Sequence, residues 1–129
     1  MIILSIDGGA SRTRGVLFTE TGEVRHYQET EATSLSRSDA DAPEILSGFI
    51  QELATQAGLG LEDVGLVNVG VAGVSNLDAH DRLFRELDRL GLSDRAIVTS
   101  DVEAAYEVVW EDAPGVLVCV GTGAIGWAR

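Results

Sequence analysis

The stretch "IILSIDGGASRTRGVLF", residues 2–18, decides the fold. Ile2, Ile3, Leu4 and Ile6 form a short apolar strand that ends at Asp7-Gly8-Gly9, and Gly15-Val16-Leu17-Phe18 starts a second strand after a glycine-rich elbow. The polar turn around Glu20-Thr21-Gly22-Glu23 leads into a third strand, Val24 to Thr30, whose mixed polarity predicts a sheet edge. An antiparallel meander therefore opens the chain.

Beyond it the pattern changes to alternation. After a Ser-, Thr- and Asp-rich loop over residues 32–41, Asp41 is placed to cap a helix. Pro43 and Glu44 lie in its first turn, Ile45, Leu46, Phe49, Ile50 and Leu53 share one face, and it ends near Gly58. "VGLVNVGVA", residues 64–72, reads as a buried strand running into Gly73-Val74-Ser75-Asn76. A second helix, residues 78–90, is amphipathic through Leu83, Phe84, Leu87 and Leu90 and stops at Gly91. Residues 96–99 form a short strand, 101–110 a third helix and 116–120 another strand. Alternation of this kind predicts an α/β fold with a mainly parallel sheet and helices on both faces. The ending, "VLVCVGTGAIGWAR", repeats the strand–glycine elbow–strand pattern of the beginning, which suggests a duplicated architecture. The expected division is a first lobe over residues 1–113 and the start of a second over 114–129. The last hairpin is expected either to pack on the first lobe or to pair with another copy through open edges.

The composition narrows the chemistry. The 129 residues hold 21 acidic and 9 basic side chains, a formal net charge of -12, and every basic residue is an arginine. Without lysine this stretch has neither a Schiff-base lysine nor a phosphate loop that ends in one. So acidic a chain repels nucleic acid and anionic lipid, leaving small molecules as the expected partners. Cys119, the single cysteine, lies in an apolar run and reads as a small core residue. The apolar run at the N-terminus is too short for a signal peptide or a membrane span, and a cytoplasmic location is the expectation.

In open α/β sheets ligands bind beyond the carboxyl ends of the strands. Four such ends carry polar or glycine residues: Asp7-Gly8-Gly9, Ala72-Gly73, Ser100-Asp101 and Gly121-Thr122-Gly123. Two facing glycine elbows would offer unobstructed backbone N–H groups to a polyphosphate, and Asp7 is placed to hold Mg²⁺ directly or through water. Asp101 has two readings: an N-cap supported by Glu103 at the positive end of the helix dipole, or a functional carboxylate.

"IDGGASRTRGVLFTETG", "VGVAGVSN", "VTSDVEAAYEV" and "VCVGTGAIGWAR", in this order and spacing, resemble the N-acetylglucosamine kinase branch of the BadF/BadG/BcrA/BcrD-type ATPases, within the sugar kinase, Hsp70 and actin superfamily. The resemblance implies a ribonuclease-H-like fold duplicated into two lobes, with ATP and Mg²⁺ between them. By position, it implies that Asp7 serves the Mg²⁺-phosphate end, with Gly8, Gly9, Ser11 and Thr13 in the first phosphate loop and Gly121, Thr122 and Gly123 in the second. Asp101 would take the proton from the sugar hydroxyl, and Gly73 and Ser75 would border the sugar. The sequence departs from the family pattern at Ala10, Arg12 and Ser100. The asparagine that family members often place near the sugar is missing from "EATSLSR", leaving Thr33 and Ser34 as the nearest polar candidates. The adenosine pocket and the rest of the second lobe are expected on later residues or on a separate chain. Residues 1–129 alone are therefore not expected to turn over ATP, and a homodimer is expected of the complete protein. Two rival functions remain on the residues themselves: an ATPase that activates a reductase or dehydratase through an iron–sulfur cluster, and a non-catalytic scaffold of the same fold.

Overall fold

The structure, a computed structural model, describes residues 1–36, 41–111, 113–120 and 124–129. The strands are β1 (Ile2–Gly8), β2 (Thr13–Thr19), β3 (Val24–Thr30), β4 (Val64–Val71), β5 (Ala96–Thr99), β6 (Val116–Val120) and β7 (Ala124–Ala128). The helices are α1 (Ala42–Gln56), α2 (Leu77–Arg89) and α3 (Asp101–Trp110). The first five strands form one sheet in the order β3-β2-β1-β4-β5. β1, β2 and β3 pair antiparallel, while β1-β4 and β4-β5 pair parallel. The expected meander and parallel half share one mixed sheet, and β3 is an edge strand as its polarity predicts.

Strand alternation sorts side chains to the two faces. Leu4, Ile6, Leu17, Val67, Val69 and Val71 join Leu46, Phe49, Ile50 and Leu53 of α1 and Leu83 and Leu87 of α2 in one buried core. Each fully buried aliphatic side chain there contributes about 1.5–3 kcal/mol. The alternate residues Ser5, Asp7, Asn68 and Gly70 face the other way, into a groove beneath α3. Helices thus lie on both faces, and α3 stands apart from the main core, over this groove.

Residues 33–36, in the polar stretch after β3, are bonded into the fold more closely than their composition suggests. Leu35 is fully buried in the core, its N–H donates to Ala72 O (2.7 Å), and its carbonyl accepts from Asn76 Nδ2 (3.0 Å). Thr33 N donates to Gly9 O at 3.2 Å. Residues 33–36 therefore strap the carboxyl ends of β1 and β4 together.

Two capping expectations are corrected. Asp41 occupies the N-cap of α1, but its side chain makes no capping hydrogen bond and lies 4.0 Å from Arg82 Nη2. At α3 the N-cap is Ser100, whose hydroxyl accepts from Glu103 N at 3.0 Å; Asp101 is the first helical residue. A cap must have non-helical dihedrals, which Ser100 has and Asp101, already helical, has not.

α1 and α2 are also joined by charge. Arg82 Nη2 donates to Glu44 Oε1 (2.8 Å) and Oε2 (2.7 Å), and Glu86 Oε2 accepts from Arg89 Nη2 (2.8 Å) and Ser47 Oγ (2.9 Å). The hydrogen bond from Arg82 holds the Glu44 carboxyl below its usual range against some desolvation; for Glu86 the bond from Arg89 leads, followed by that from Ser47. A lowered folded-state value means that the stabilisation is present above the unfolded carboxyl range and disappears as pH falls through the folded value. Arg82→Gln should therefore lower Tm by a few degrees at neutral pH, and the gap from the parent should close in acid. Melting both proteins from pH 7 to pH 3 checks it; a gap that widens in acid refutes it.

β6 and β7 form a separate two-stranded sheet. It packs against α3. Tyr106, fully buried in α3, donates to Ala113 O (2.8 Å) and stacks on Trp110 with centroids 5.2 Å apart. The Arg129 guanidinium lies 5.5 Å from the centre of the Tyr106 ring and pairs with Glu107. Val116, Val118 and Val120 on the other face of β6 are exposed.

Candidate functional site

The site is built from strand ends. β1 and β4 run parallel with Asp7 opposite Gly70, and Gly70 in turn lies opposite Thr99 at the end of β5. The chain then turns at Ser100 into α3, which brings Asp101 back over the sheet. Asp7, Asn68, Gly70, Asp101, Ala104 and Val108 line one groove of about 300 Å³. Asp101 also lines a neighbouring cleft of about 460 Å³ with Ala10, Ser36, Ala72 and Gly73 on one side and Cys119, Val120, Ala124 and Ile125 of the hairpin on the other. Asp7 and Asp101, far apart in sequence, therefore share a groove, and Asp101 is common to both spaces.

Because Ser100 supplies the cap, the Asp101 carboxylate is not needed to satisfy the helix terminus beyond a hydrogen bond from Val102 N to its Oδ1 (3.0 Å). It remains half-buried at the positive end of the α3 dipole, where an anion is favoured. Asp7 is exposed, with Arg14 Nη1 3.3 Å from its Oδ2. Arg14 Nε also lies 3.5 Å from Glu29 Oε1, and Arg12 Nη1 3.4 Å from Glu29 Oε2. The Tyr27 hydroxyl donates to Glu29 at 2.5 Å and, ahead of the two arginines, holds that carboxyl below its usual range against desolvation. Two guanidiniums thus stand at the mouth of the first elbow in a chain otherwise dominated by negative charge.

The remaining expected residues divide. Gly8 ends β1 and its carbonyl accepts from Ala72 N (2.8 Å); Gly9 N donates to Arg12 O (3.0 Å), closing the elbow. Ser11 and Ser75 are exposed, and Gly73 lines the cleft. Thr13 and Thr33 are fully buried with their hydroxyls 2.6 Å apart, and Ser34, also buried, lies with its Oγ 3.5 Å from Ala72 O. The structure therefore brings Gly73 and Asp101 to the cleft and Asp7 and Asp101 to the groove, while Thr33 and Ser34 belong to the strap and Thr13 ties β2 to it. Gly121, Thr122 and Gly123 lie outside the described residues; Val120 and Ala124, on either side of them, line the cleft.

Cys119 is corrected from core to cleft wall. It is half-buried because its strand faces an open cleft, with Ala10, Ser36, Ala72 and Gly73 on the opposite side. Asn68 and Gly70 were not singled out in the sequence, although a polar residue and a glycine within a buried strand are a readable signal.

Among the described residues no group of three or more His, Cys, Asp or Glu side chains could hold a metal ion. A magnesium ion fits this donor set only as an ion that keeps most of its waters, takes one or two carboxylates and shares the rest of its shell with phosphate oxygens. Among the described residues no helix is long and apolar enough to cross a membrane.

A family model describing the BadF/BadG/BcrA/BcrD ATPase family matches residues 4–128. This chain belongs to that family. A relative from Clostridium acetobutylicum, an N-acetylmuramic acid/N-acetylglucosamine kinase, is 26% identical over 128 residues, covering 98% of this chain and 42% of the relative. A solved structure from Chromobacterium violaceum, provisionally assigned as an N-acetylglucosamine kinase, matches with a TM-score of 0.75 and 26% identity over 98% of this chain and 44% of that one. A Porphyromonas gingivalis structure of the same provisional assignment has a TM-score of 0.74 at 20% identity, over 99% of this chain and 44% of that one. The PPX-GPPA enzyme of Aquifex aeolicus, at 15% identity and a TM-score of 0.55, shares the fold. The fold is thus the ribonuclease-H-like, actin-like ATPase lobe that the resemblance implies, and the chain spans less than half the length of these kinase relatives.

Proposed function

We propose that residues 1–129 form the N-terminal part of an ATP-dependent amino-sugar kinase, with N-acetylglucosamine or glucosamine as acceptor. The observation that carries this reading is the shared groove of Asp7 and Asp101, at the carboxyl ends of β1 and β5, beside a cleft bordered by the elbow and the hairpin. In the proposed reaction Asp101 accepts the proton of a sugar hydroxyl as its oxygen forms a bond to the γ-phosphorus, the bond to the β-phosphate bridging oxygen breaks, and ADP leaves. Such a transfer asks the protein for positioning, charge neutralisation and one carboxylate near the nucleophile. Magnesium, when bound with the nucleotide, neutralises phosphate charge. Asp7 is the carboxylate of this chain suited to its shell, Gly8, Gly9 and Ser11 form the phosphate turn, and Arg12 and Arg14 supply positive charge at its mouth. Gly73 and Ser75 border the sugar, with Ser34 behind them. Thr13 and Thr33 hold the elbow against the strap. The second phosphate turn is assigned to Gly121, Thr122 and Gly123.

Residues 114–129 are proposed to begin the second lobe. The exposed row Val116, Val118 and Val120 supports this, since an apolar strand face of that kind asks for a further layer. The test is ADP release by the full-length protein with ATP and Mg²⁺, with and without N-acetylglucosamine, glucosamine, N-acetylmuramic acid or glucose. Release that depends on an amino sugar is expected. Release that is equal with and without every sugar overturns the kinase reading in favour of an activator ATPase, and no release at all in favour of a scaffold.

A further inference from the structure

Gly70 lines the groove together with Asp7 and Asp101, opposite Asp7 in the β1-β4 register and beneath the first turn of α3. It is buried, and its φ lies outside the left-handed region. Backbone conformation therefore does not demand glycine there, and glycine inside a strand weakens it. The demand comes from packing. A Cβ at residue 70 would stand 3.0 Å from Ala104 Cβ and 3.8 Å from Asp101 Cα. Apolar carbons rest at about 3.5–4.0 Å, so the first of these contacts forces the helix to give. Ala104 is three residues after Asp101, on the same side of α3, so a push on Ala104 is a push on the turn that carries Asp101.

We infer that Gly70 is a positioning residue: the contact of its bare backbone with Ala104 sets how closely α3 approaches the sheet, and hence the separation of Asp101 from Asp7. The inference rests on the reading of Asp101 as the base only for its effect on turnover. The geometric consequence stands without it.

The experiment compares the full-length protein with Gly70→Ala, Gly70→Val and the double variant Gly70→Ala/Ala104→Gly. Crystal structures read the Asp7–Asp101 Cα separation directly. It should widen by a few tenths of an ångström with Ala, more with Val, and return towards the parent value in the double variant. Turnover reads the consequence: kcat for the amino sugar should fall about tenfold with Ala and about a hundredfold with Val, with the sugar KM within about twofold, because small misplacements of a reacting group act on the chemical step. The double variant should recover most of the lost kcat, which a loss of stability alone would not do, since Ala104→Gly further weakens the helix. An unchanged separation in Gly70→Ala and Gly70→Val overturns the inference whatever the activity, as does a double variant that fails to recover it. Asp101→Asn separates the two readings. If it turns over normally, the base assignment fails; if it is inactive while Gly70→Ala is normal, the positioning role fails alone.

Discussion

Gly73→Ala should destabilise this protein by about 3 kcal/mol or more and lower Tm by about 10 °C, whereas Gly91→Ala should cost about 1 kcal/mol. Both glycines have positive φ, +79° at Gly73 and +70° at Gly91, so each substitution carries the penalty of a left-handed alanine. They differ in surroundings. Nothing lies within 4 Å of a Cβ built on Gly91, while one on Gly73 would overlap the Ser36 backbone nitrogen and stand 2.7 Å from the Leu35 carbonyl carbon. Those atoms belong to the strap, which cannot retreat without breaking the hydrogen bond from Leu35 N to Ala72 O and withdrawing Leu35 from the core. The second variant thus measures dihedral strain alone, and the difference between the two measures the strap. Thermal melts of both variants beside the parent check this. Equal losses would show that the segment over residues 33–36 is not held as the structure has it.

The strap also marks where sequence reading stops. Strands and helices were legible because their apolar residues recur with periods of two and about 3.6, and β3 was legible as an edge because its charges tolerate water on both faces. Leu35 was hidden because one leucine among serines and threonines has no period. Its burial depends on β1 and β4 ending side by side, a fact of topology. The Thr13–Thr33 hydroxyl pair was hidden for the same reason. At Ser100-Asp101 two good capping residues are adjacent, and composition alone cannot choose between them. Asn68 and Gly70 were a different kind of miss, since a polar residue and a glycine inside "VGLVNVGVA" stand out against the burial of that strand. The convergence of Asp7 and Asp101 was expected from the strand-end rule for open sheets. Their common groove follows from the parallel register of β1, β4 and β5.

Asp101→Asn in the full-length protein should reduce kcat for the amino sugar by about 10²–10⁴-fold while leaving nucleotide affinity and Tm nearly unchanged. The substitution keeps the size of the side chain and an oxygen that can accept from Val102 N, but the amide cannot take up the proton of the attacking hydroxyl. The capping geometry sharpens the comparison. The Ser100 hydroxyl accepts from Glu103 N and the introduced amide oxygen still accepts from Val102 N, so loss of the Asp101 charge removes only a modest interaction with the helix dipole. Ser100→Ala is the matching control. It should lower stability by about 1 kcal/mol and leave Asp101 on the helix, so turnover per folded molecule should be reduced far less. A large loss in Asp101→Asn beside a small one in Ser100→Ala identifies a carboxylate that acts on the substrate. Near-normal turnover in a well-folded Asp101→Asn protein would remove the base from the proposed reaction and leave the acceptor hydroxyl to be activated by phosphate oxygens or by solvent.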